Sequence, residues 1–390
     1  MRPTRRGLLL GAAASMAGSL VAIRAAETDS RFVLIFLRGA MDGLNVVVPY
    51  GDRNLAALRP ALMLPEPNGS DGLLDLGGFW GLHPILKTVH TLYVANDLLA
   101  IQCVAGPNRS RSHFEAQDMM ESGAEQRMTS GWLNRIAALL PPPPSCDAAV
   151  TMAGRLPLVL HGPTPATPWN PFHNRPSASA GFYENLAAMH ASDPVVGAEL
   201  ISGLRERAYV DRVMAGLSYD SVSPGFPRLA RATARLLAAP DGPRLAELDL
   251  DGWDTHAGQP RRLRESLKRL DEGIAELRAG LASVWNRTAI LVMTEFGRTV
   301  RANGDTGTDH GTATAAFVMG GAVSGGRVLA DWPGVGHGQL FEDRDLQPTL
   351  DIRAVAKGLL GPHFGISPEG LATVFPDSGS VAPAAKLLRV

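Results

Sequence analysis

Acidic residues, histidines and serines collect in four short polar stretches of the chain. These stretches are residues 37–45, 107–118, 250–256 and 293–312, and each comes after a predicted strand or at the start of a predicted helix. Carboxylates and imidazoles are common ligands of divalent cations, and a serine hydroxyl can attack an ester. The residue types therefore favour a metal-binding or ester-cleaving site built from distant parts of the chain.

The second stretch contains the candidate nucleophile, Ser112. At the start of a helix, the positive end of the helix dipole stabilises an alkoxide or a bound oxyanion. Arg109 or Arg111 could hold an anionic ester group through paired hydrogen bonds. Ser112 and Glu115 also match the Ser-x-x-Glu capping box, which gives the serine a structural role. The sequence leaves both interpretations open, and one serine can serve both purposes.

The other three stretches supply candidate metal ligands. Asp254 and His256 are two residues apart and can reach one cation, with Asp251 as a competitor for Asp254. Arg298 adds a cation suited to an anionic group. The full set of candidate ligands is Asp42, Asp254, His256, Glu295, Asp309 and His310. Polar turns and helix caps are the alternative explanation for these residues.

Continuous apolar runs predict buried strands next to these stretches. The runs are residues 31–37, 98–104, 156–160, 289–293 and 315–319, and such runs are typical of parallel strands covered on both faces. Apolar residues from Leu263 to Leu281 alternate spacings of four and three, which predicts an amphipathic helix. Residues 200–213 and 233–238 are also predicted helical. The sequence therefore predicts an α/β fold with a mainly parallel sheet sandwiched between helices.

The N-terminus predicts an export signal. Arg5 and Arg6 precede a Gly/Ala-rich apolar stretch, residues 10–23, and Ala25 and Ala26 are small residues suited to cleavage. Paired arginines before a weakly apolar core are typical of the twin-arginine pathway. The apolar stretch is shorter than the roughly 20 residues of a spanning helix. We therefore expect a signal peptide at 1–26, a single domain at 27–390, and a periplasmic or secreted mature protein without a stable membrane anchor.

Composition narrows the class of protein. The 37 Lys and Arg residues nearly balance the 38 Asp and Glu residues, so no overall positive field favours nucleic acid. The two cysteines, Cys103 and Cys146, exclude a disulfide-dense scaffold and a thiolate-rich zinc site. Cys103 lies in an apolar run and is expected to be buried. The two thiols could pair in an oxidising compartment.

In these polar stretches the chain resembles the bacterial family known as domain of unknown function 1501. The matching stretches are residues 37–49, 110–123, 252–259, 294–299, 303–321 and 331–332. That family is grouped with the alkaline-phosphatase-like superfamily, which includes phosphatases, sulfatases and cofactor-independent phosphoglycerate mutases. The resemblance implies a parallel sheet between helices, with a two-metal site above the carboxyl edge of the sheet.

The resemblance also implies roles for residues near the start of the chain. Asp42 corresponds to the metal-binding aspartate after the first strand. Ser112 corresponds to the nucleophile at a helix start, with Ser110 as the rival. Arg111 or Arg298 would stabilise the negative charge that grows on the ester oxygens.

The later positions match the superfamily pattern less completely. Asp254 and His256 resemble its central ligands but lie closer together than is usual. By position, Glu295 corresponds to a late Asp-His pair and His310 to a final histidine. Phe296 stands where a ligand histidine is expected, which argues against a second metal ion. A carboxylate-rich ligand set would suit Mg, Mn or Ca better than Zn.

These features predict an exported metal-dependent hydrolase of phosphate or sulfate esters with Ser112 as nucleophile. Its substrate would be an anionic ester, either a small molecule or a sulfated or phosphorylated glycan. The alternative is a non-catalytic exported protein that binds anions or glycans on a degenerate hydrolase fold. Phe296 favours this alternative, because it replaces a ligand.

Overall fold

The computed structural model describes residues 29–69, 71–172, 180–193 and 196–389, so the predicted signal peptide lies outside the described residues. The strands are β1 (Arg31–Arg38), β2 (Val47–Val48), β3 (Leu74–Asp75), β4 (Gly81–Leu82), β5 (Leu98–Ala105), β6 (Ala149–Thr151), β7 (Ala166–Pro168), β8 (Leu245–Asp251), β9 (Thr288–Thr294), β10 (Thr314–Met319), β11 (Arg327–Leu329) and β12 (Leu350–Asp351). The helices are α1 (Gly43–Val46), α2 (Leu55–Leu58), α3 (Lys87–Val94), α4 (His113–Ser122), α5 (Trp132–Leu139), α6 (Ala180–Met189), α7 (Val196–Met214), α8 (Phe226–Ala238), α9 (Gln259–Gly280), α10 (Ile352–Phe364) and α11 (Pro368–Val374). Among these helices, none combines the length and apolar character needed to cross a membrane.

Nine strands form one sheet in the order β11-β5-β10-β9-β1-β8-β6-β7, with β12 also paired to β5. The central strand β1 pairs in parallel with β8 on one side and β9 on the other. Within the described part of this sheet, β10 is the strand that runs antiparallel to its neighbours, β5 and β9. The predicted fold class, a mainly parallel sheet with helices, is confirmed.

Both faces of the central sheet are buried under helices. Residues 33, 35 and 37 of β1 pack in one apolar cluster with side chains of α8 and α9. Residues 32, 34 and 36 pack in a second cluster with α5 and α10. Because successive side chains of a strand point to opposite faces, a strand covered on both sides must be apolar throughout. Burial of both faces of β1 therefore explains the continuous apolar run at residues 31–37.

The predicted elements match the structure with one exception. Helix α9 contains the predicted periodic helix almost entirely, and α7 and α8 contain the other two predicted helices. The strand predicted at residues 156–160 is wrong, because Leu158–Leu160 forms a 3₁₀ helix after Pro157. The Val159 backbone N–H donates to the Glu121 carboxylate at 2.9 Å instead of to a neighbouring strand. Val159 and Leu160 are nevertheless buried, so the apolar run correctly predicts burial although it does not form a strand.

The carboxyl ends of several strands meet at one edge of the sheet. Arg38 at the end of β1 is in register with Asp251 of β8, and Leu37 is in register with Thr294 of β9. Strand β5 ends near the same edge, and the antiparallel β10 begins there, with Thr314 opposite Val104. The four polar stretches therefore adjoin one edge, where open α/β sheets carry their ligands.

The two cysteines are free thiols. Cys103 is fully buried in β5, as expected, and Cys146 is also buried. Burial raises the pKa of both thiols to about 12. Neither thiol therefore has the thiolate character of a reactive cysteine.

Candidate metal centre

Two loops and one helix start place four ligand-capable side chains at the sheet edge. His113 begins α4, shortly after β5, and Asp254 and His256 lie in the loop between β8 and α9. His310 lies in the segment that precedes β10. Gly307 brings two of these segments together, because a Cβ at this position would collide with the His256 carbonyl. A side chain at residue 307 would thus force the loops apart.

The ring nitrogens of three histidines converge on Asp254. Nε2 of His256 lies 2.9 Å from Nε2 of His310, and the two atoms lie 3.1 and 3.5 Å from Asp254 Oδ1. Nε2 of His113 lies 3.6 Å from Asp254 Oδ2. The ligand atoms of His113, Asp254 and His310 all lie within 4.8 Å of one another. His256 is not part of this group of three, but its Nε2 lies beside both Asp254 Oδ1 and His310 Nε2. Two imidazoles and one carboxylate, with a third imidazole next to them, form a donor set suited to a metal ion of the zinc class.

In each of the three rings, Nδ1 lies within hydrogen-bonding distance of an oxygen atom. The contacts are His113 Nδ1 to Glu295 Oε1 at 2.8 Å, His256 Nδ1 to Asp309 Oδ1 at 3.1 Å, and His310 Nδ1 to the Arg111 carbonyl at 2.7 Å. Carboxylates and carbonyl oxygens accept hydrogen bonds, so Nδ1 of each ring carries the proton. Metal-binding histidines are commonly oriented in this way.

The arrangement fits a bound cation. With Nδ1 protonated, a neutral ring offers only a lone pair at Nε2, and two such atoms 2.9 Å apart repel each other. His113 Nε2 is buried and has no hydrogen-bond partner among the described residues. The hydrogen bond to Glu295 raises the pKa of His113, whereas burial lowers the pKa of His310. A cation among the Nε2 atoms would remove the repulsion and satisfy the orphaned nitrogen.

Arg298 supports Asp254 from the protein interior. Its side chain is fully buried, and its Nη2 donates to Asp254 Oδ1 at 2.6 Å. Burial would raise the pKa of Asp254, but the neighbouring Arg298 charge outweighs it and the pKa is lowered. Nε and Nη1 of Arg298 are buried without a partner in the described structure. Asp254 is therefore held as an ionised carboxylate.

Phe296 forms part of the wall of the centre. Its ring stacks on His113, with centroids 5.0 Å apart, and lies 5.1 Å from the ring of His310. It supplies apolar contact at the position where the sequence resemblance predicts a ligand histidine. The opposite side of the centre is open, since the side chains of Asp254 and His256 are both 46% exposed.

Ser112 is exposed at the N-cap position of α4, but its side chain makes no capping hydrogen bond. The predicted capping box is not formed, because Glu115 accepts instead from Ser110 Oγ at 2.6 Å. Ser112 lies between two residues that touch the cluster: the Arg111 carbonyl holds His310, and His113 supplies a ring nitrogen. Ser112 is thus the free hydroxyl of the two serines, and Ser110 is engaged.

The guanidinium of Arg111 lies in a separate ion-pair network. Its Nε and Nη2 donate to Asp345 Oδ2 at 3.0 and 2.7 Å, and Nη2 also contacts Glu342 at 2.6 Å. Asp345 is fully buried and also accepts from Thr312. Arg111 thus contacts the centre through its backbone carbonyl, while its side chain is bound elsewhere.

Asp42 lies apart from the point on which the ring nitrogens converge. It caps α1 and forms a buried ion pair with Arg59, whose Nη1 lies 2.9 Å from Oδ2. Gln259 also donates to Asp42, and Gln259 Oε1 accepts from Thr255 and Thr308. The structure therefore connects Asp42 to the loops of the centre only through this side-chain network.

The remaining predicted ligands, Glu295 and Asp309, contact Nδ1 atoms of the rings rather than the converging Nε2 atoms. Glu295 is buried and contacts the ring of His113, and Asp309 contacts the ring of His256. The sequence does not predict His113 as a candidate ligand, although it directly follows the predicted nucleophile. Its position in the first turn of the predicted helix was the available signal.

Residues 218–374 match the family described as "Protein of unknown function (DUF1501)". The resemblance predicted from the sequence is therefore confirmed over this part of the chain, which includes Asp254, His256 and His310. The match begins after His113, so the stretches at residues 37–49 and 110–123 lie outside it. No curated protein matches the chain.

Several solved structures are distantly similar. Ps i-CgsB in complex with k-i-k-neocarrahexaose has a TM-score of 0.42 and 8% identity, and the alignment covers 91% of this chain and 77% of that one. The C-terminal periplasmic domain of EcEptC from Escherichia coli, in complex with Zn, has a TM-score of 0.34 and 8% identity over 76% and 74% of the two chains. The lipoteichoic acid synthase LtaP from Listeria monocytogenes has a TM-score of 0.35 and 9% identity over 80% and 69%.

Proposed function

We propose that this protein is a metal-dependent hydrolase of phosphate or sulfate esters. The observation that carries the proposal is the convergence of His113, His256 and His310 with Asp254. Ser112 directly precedes His113 in the chain, at the N-cap position of α4. Groups of this kind that meet at the carboxyl edge of a parallel sheet are typical of active sites.

The donor set favours a transition metal ion of the zinc class. The sequence favours a carboxylate-rich site for Mg, Mn or Ca, but three imidazoles and a single carboxylate point to softer ions. Glu295 and Asp309, which the sequence predicts as ligands, would instead orient His113 and His256. The four donors leave no spare ligand for a second ion of this kind, in line with the replacement of a histidine by Phe296.

The residues of the centre can each perform a separate part of ester hydrolysis. A bound metal ion would supply Lewis acidity toward the oxygens of the ester. Ser112 Oγ would attack phosphorus or sulfur while the bond to the leaving alcohol breaks, and the serine proton would pass to that alcohol. Water would then cleave the serine ester and restore the hydroxyl. The N-terminal amides of α4 would stabilise the negative charge, and buried Arg298 would hold Asp254 ionised.

The second candidate is a non-catalytic protein that binds anions or glycans. Two observations favour it: Phe296 occupies a ligand position, and the Arg111 guanidinium is bound to Asp345 and Glu342 rather than directed at a substrate. Such a protein would keep the metal ion but would turn over no ester.

Metal analysis and an ester panel distinguish the two candidates. The purified protein is expected to contain about one equivalent of zinc or a related ion, and to hydrolyse an aryl phosphate or an aryl sulfate only when metal is bound. Ser112→Ala should lower kcat by at least about 10³-fold while metal content stays unchanged.

Ser110→Ala tests the rival serine, whose Oγ donates to Glu115 and accepts the backbone N–H of Ser112. Its activity should fall far less than that of Ser112→Ala, because it removes a contact to Ser112 but not the attacking hydroxyl. Stoichiometric metal without turnover on either ester class would instead support the binding protein. Absence of bound metal, even after incubation with zinc, would refute both forms of the proposal.

We also propose export through the twin-arginine pathway, supported by Arg5, Arg6 and the apolar stretch that follows them. Replacement of both arginines by lysine should leave the full-length precursor in the cytoplasm. Immunoblots of cell fractions would measure this. Unchanged export of the double variant would contradict the proposal.

A further inference from the structure

A line of hydrogen bonds runs from the end of β1 to the candidate metal centre. Arg38 Nη1 lies 3.1 Å from Gln117 Oε1, and Gln117 Nε2 lies 2.8 Å from Glu295 Oε1. The same Glu295 oxygen lies 2.8 Å from His113 Nδ1. Four side chains from β1, α4 and the loop after β9 thus link the sheet to one ligand of the centre.

Arg38 fixes the direction of this line. A guanidinium has five donors and no acceptor, so the atom of Gln117 that faces it must be the amide oxygen. Arg38 is itself locked, because its Nε contacts Asp249 Oδ1 at 2.7 Å and its Nη1 contacts Glu121 Oε1 at 2.9 Å. The NH₂ group of Gln117 is therefore turned toward Glu295.

The next group along this line of hydrogen bonds, Glu295, is an acceptor. Its Oε1 also accepts the backbone N–H of Gly39 at 2.9 Å, so the buried carboxyl is surrounded by donors. The Gly39 N–H and the Gln117 NH₂ group both donate to Oε1, so this oxygen is an acceptor, and the facing Nδ1 of His113 must carry a proton. Its Nε2 then presents a lone pair to the centre.

We propose that Arg38 and Gln117 are positioning residues that set the tautomer and ring orientation of His113, so that Nε2 is the nitrogen offered to a metal ion. The proposal rests on the proposed function only in that the metal centre gives this orientation its purpose. Gln117 holds the Glu295 carboxyl behind His113 by donating to it, and without that donor the carboxyl is free to turn away from Nδ1. The proton of the neutral ring would then be free to move to Nε2. A protonated Nε2 cannot bind a metal.

Gln117 is the position at which the line can be tested without loss of the buried ion pairs of Arg38. Gln117→Glu keeps the shape but places a second carboxylate beside Glu295, which repels it from its place behind His113. Gln117→Met removes the donor without adding charge. Gln102→Met is the matched control, because Gln102 is a buried glutamine that donates to the Gly43 and Val47 carbonyls.

Two measurements on the full-length folded variants test the proposal. Zinc affinity, measured by competition with a chromogenic chelator, should fall about 10–100-fold for Gln117→Glu and less for Gln117→Met. Two-bond ¹⁵N–¹H correlation spectra of metal-free protein should show His113 protonated at Nδ1 in the wild type and redistributed to Nε2 in Gln117→Glu. Gln102→Met should leave both quantities at wild-type values, whatever its effect on thermal stability.

The two measurements separate this proposal from the function itself. If the wild type binds no zinc but the tautomer of His113 still changes with Gln117, the positioning role stands and the proposed function fails. If zinc binds and neither affinity nor tautomer responds to Gln117→Glu, the positioning role is overturned while the centre remains. An equal loss of affinity in Gln102→Met would also overturn it, because general destabilisation would then explain the effect.

Discussion

His256 and His310 face each other through their Nε2 atoms at 2.9 Å, while the Nδ1 atom of each ring is held by an oxygen acceptor. Without a shared cation, two neutral rings in this arrangement direct lone pairs at each other. A cation between the two nitrogens, either a metal ion or a proton carried by one ring, would remove this repulsion. Segments more than 50 residues apart supply the two rings, and the fold must bring them together.

Removal of one of these rings should abolish tight metal binding. We expect His256→Ala or His310→Ala to weaken zinc affinity by at least about 100-fold, because each leaves three donors of the four. Isothermal titration with zinc would measure the affinity. His90→Ala is the control, since the described contacts of its ring are to the Asp75 carbonyl and to the ring of Tyr93. Undiminished affinity in both ligand variants would contradict the assigned centre.

A single methyl group at residue 307 should disturb the same centre. In Gly307→Ala the added Cβ would collide with the His256 carbonyl, which moves His256 relative to His310. We expect zinc affinity to fall by about 10-fold or more, by analogy with the loss of supporting contacts around metal ligands. Gly304→Ala is the control in the same loop, because a methyl group there would meet no described atom within 4 Å. Equal affinities of the two variants would show that the loop tolerates the clash.

The sequence predicts those parts of the fold that depend on local patterns. The run at residues 31–37 reveals β1 and the leucine spacing reveals α9, because burial imposes a periodicity on neighbouring residues. The antiparallel direction of β10 and the 3₁₀ turn after Pro157 leave no such periodicity. They depend on pairing with distant segments.

In the candidate site, too, some features can be predicted from local sequence and others depend on contacts between distant segments. Residue type and position at strand ends predict Asp254, His256 and His310 as ligands, and the structure brings them together. The sequence also predicts that Asp42 joins them, but it gives no sign that Arg59 pairs with Asp42. His113 is missed for the complementary reason, because only the fold shows that Glu295 orients its ring.

Arg111 should be important for stability rather than for charge stabilisation at the ester. In Arg111→Met, the fully buried Asp345 carboxylate would lose its shortest ion pair. Loss of one partner of a buried pair commonly costs about 3 kcal/mol. We expect a destabilisation of that order in urea unfolding, with zinc affinity near that of the wild type. The double variant Arg111→Met, Asp345→Asn should recover part of the loss, whereas a large drop in kcat without loss of stability would restore the catalytic interpretation.

His363 should make the protein sensitive to mild acid. It is buried near the end of α10 and contacts the Arg31 carbonyl through Nε2 at 2.8 Å, and burial lowers its pKa to about 4 from an ordinary 6.5. The folded state therefore keeps the ring neutral, while the unfolded chain takes up a proton below about pH 6.5. This contribution is fully present above pH 6.5 and is lost as the pH falls toward 4. Between pH 7.5 and pH 5 the loss should be about 2 kcal/mol. In His363→Gln, which keeps a donor but cannot titrate, the free energy of unfolding should fall less over that interval by about this amount. Urea titrations of both proteins at the two pH values would measure the difference. Parallel losses in wild type and variant would show that His363 does not titrate between the folded and unfolded states.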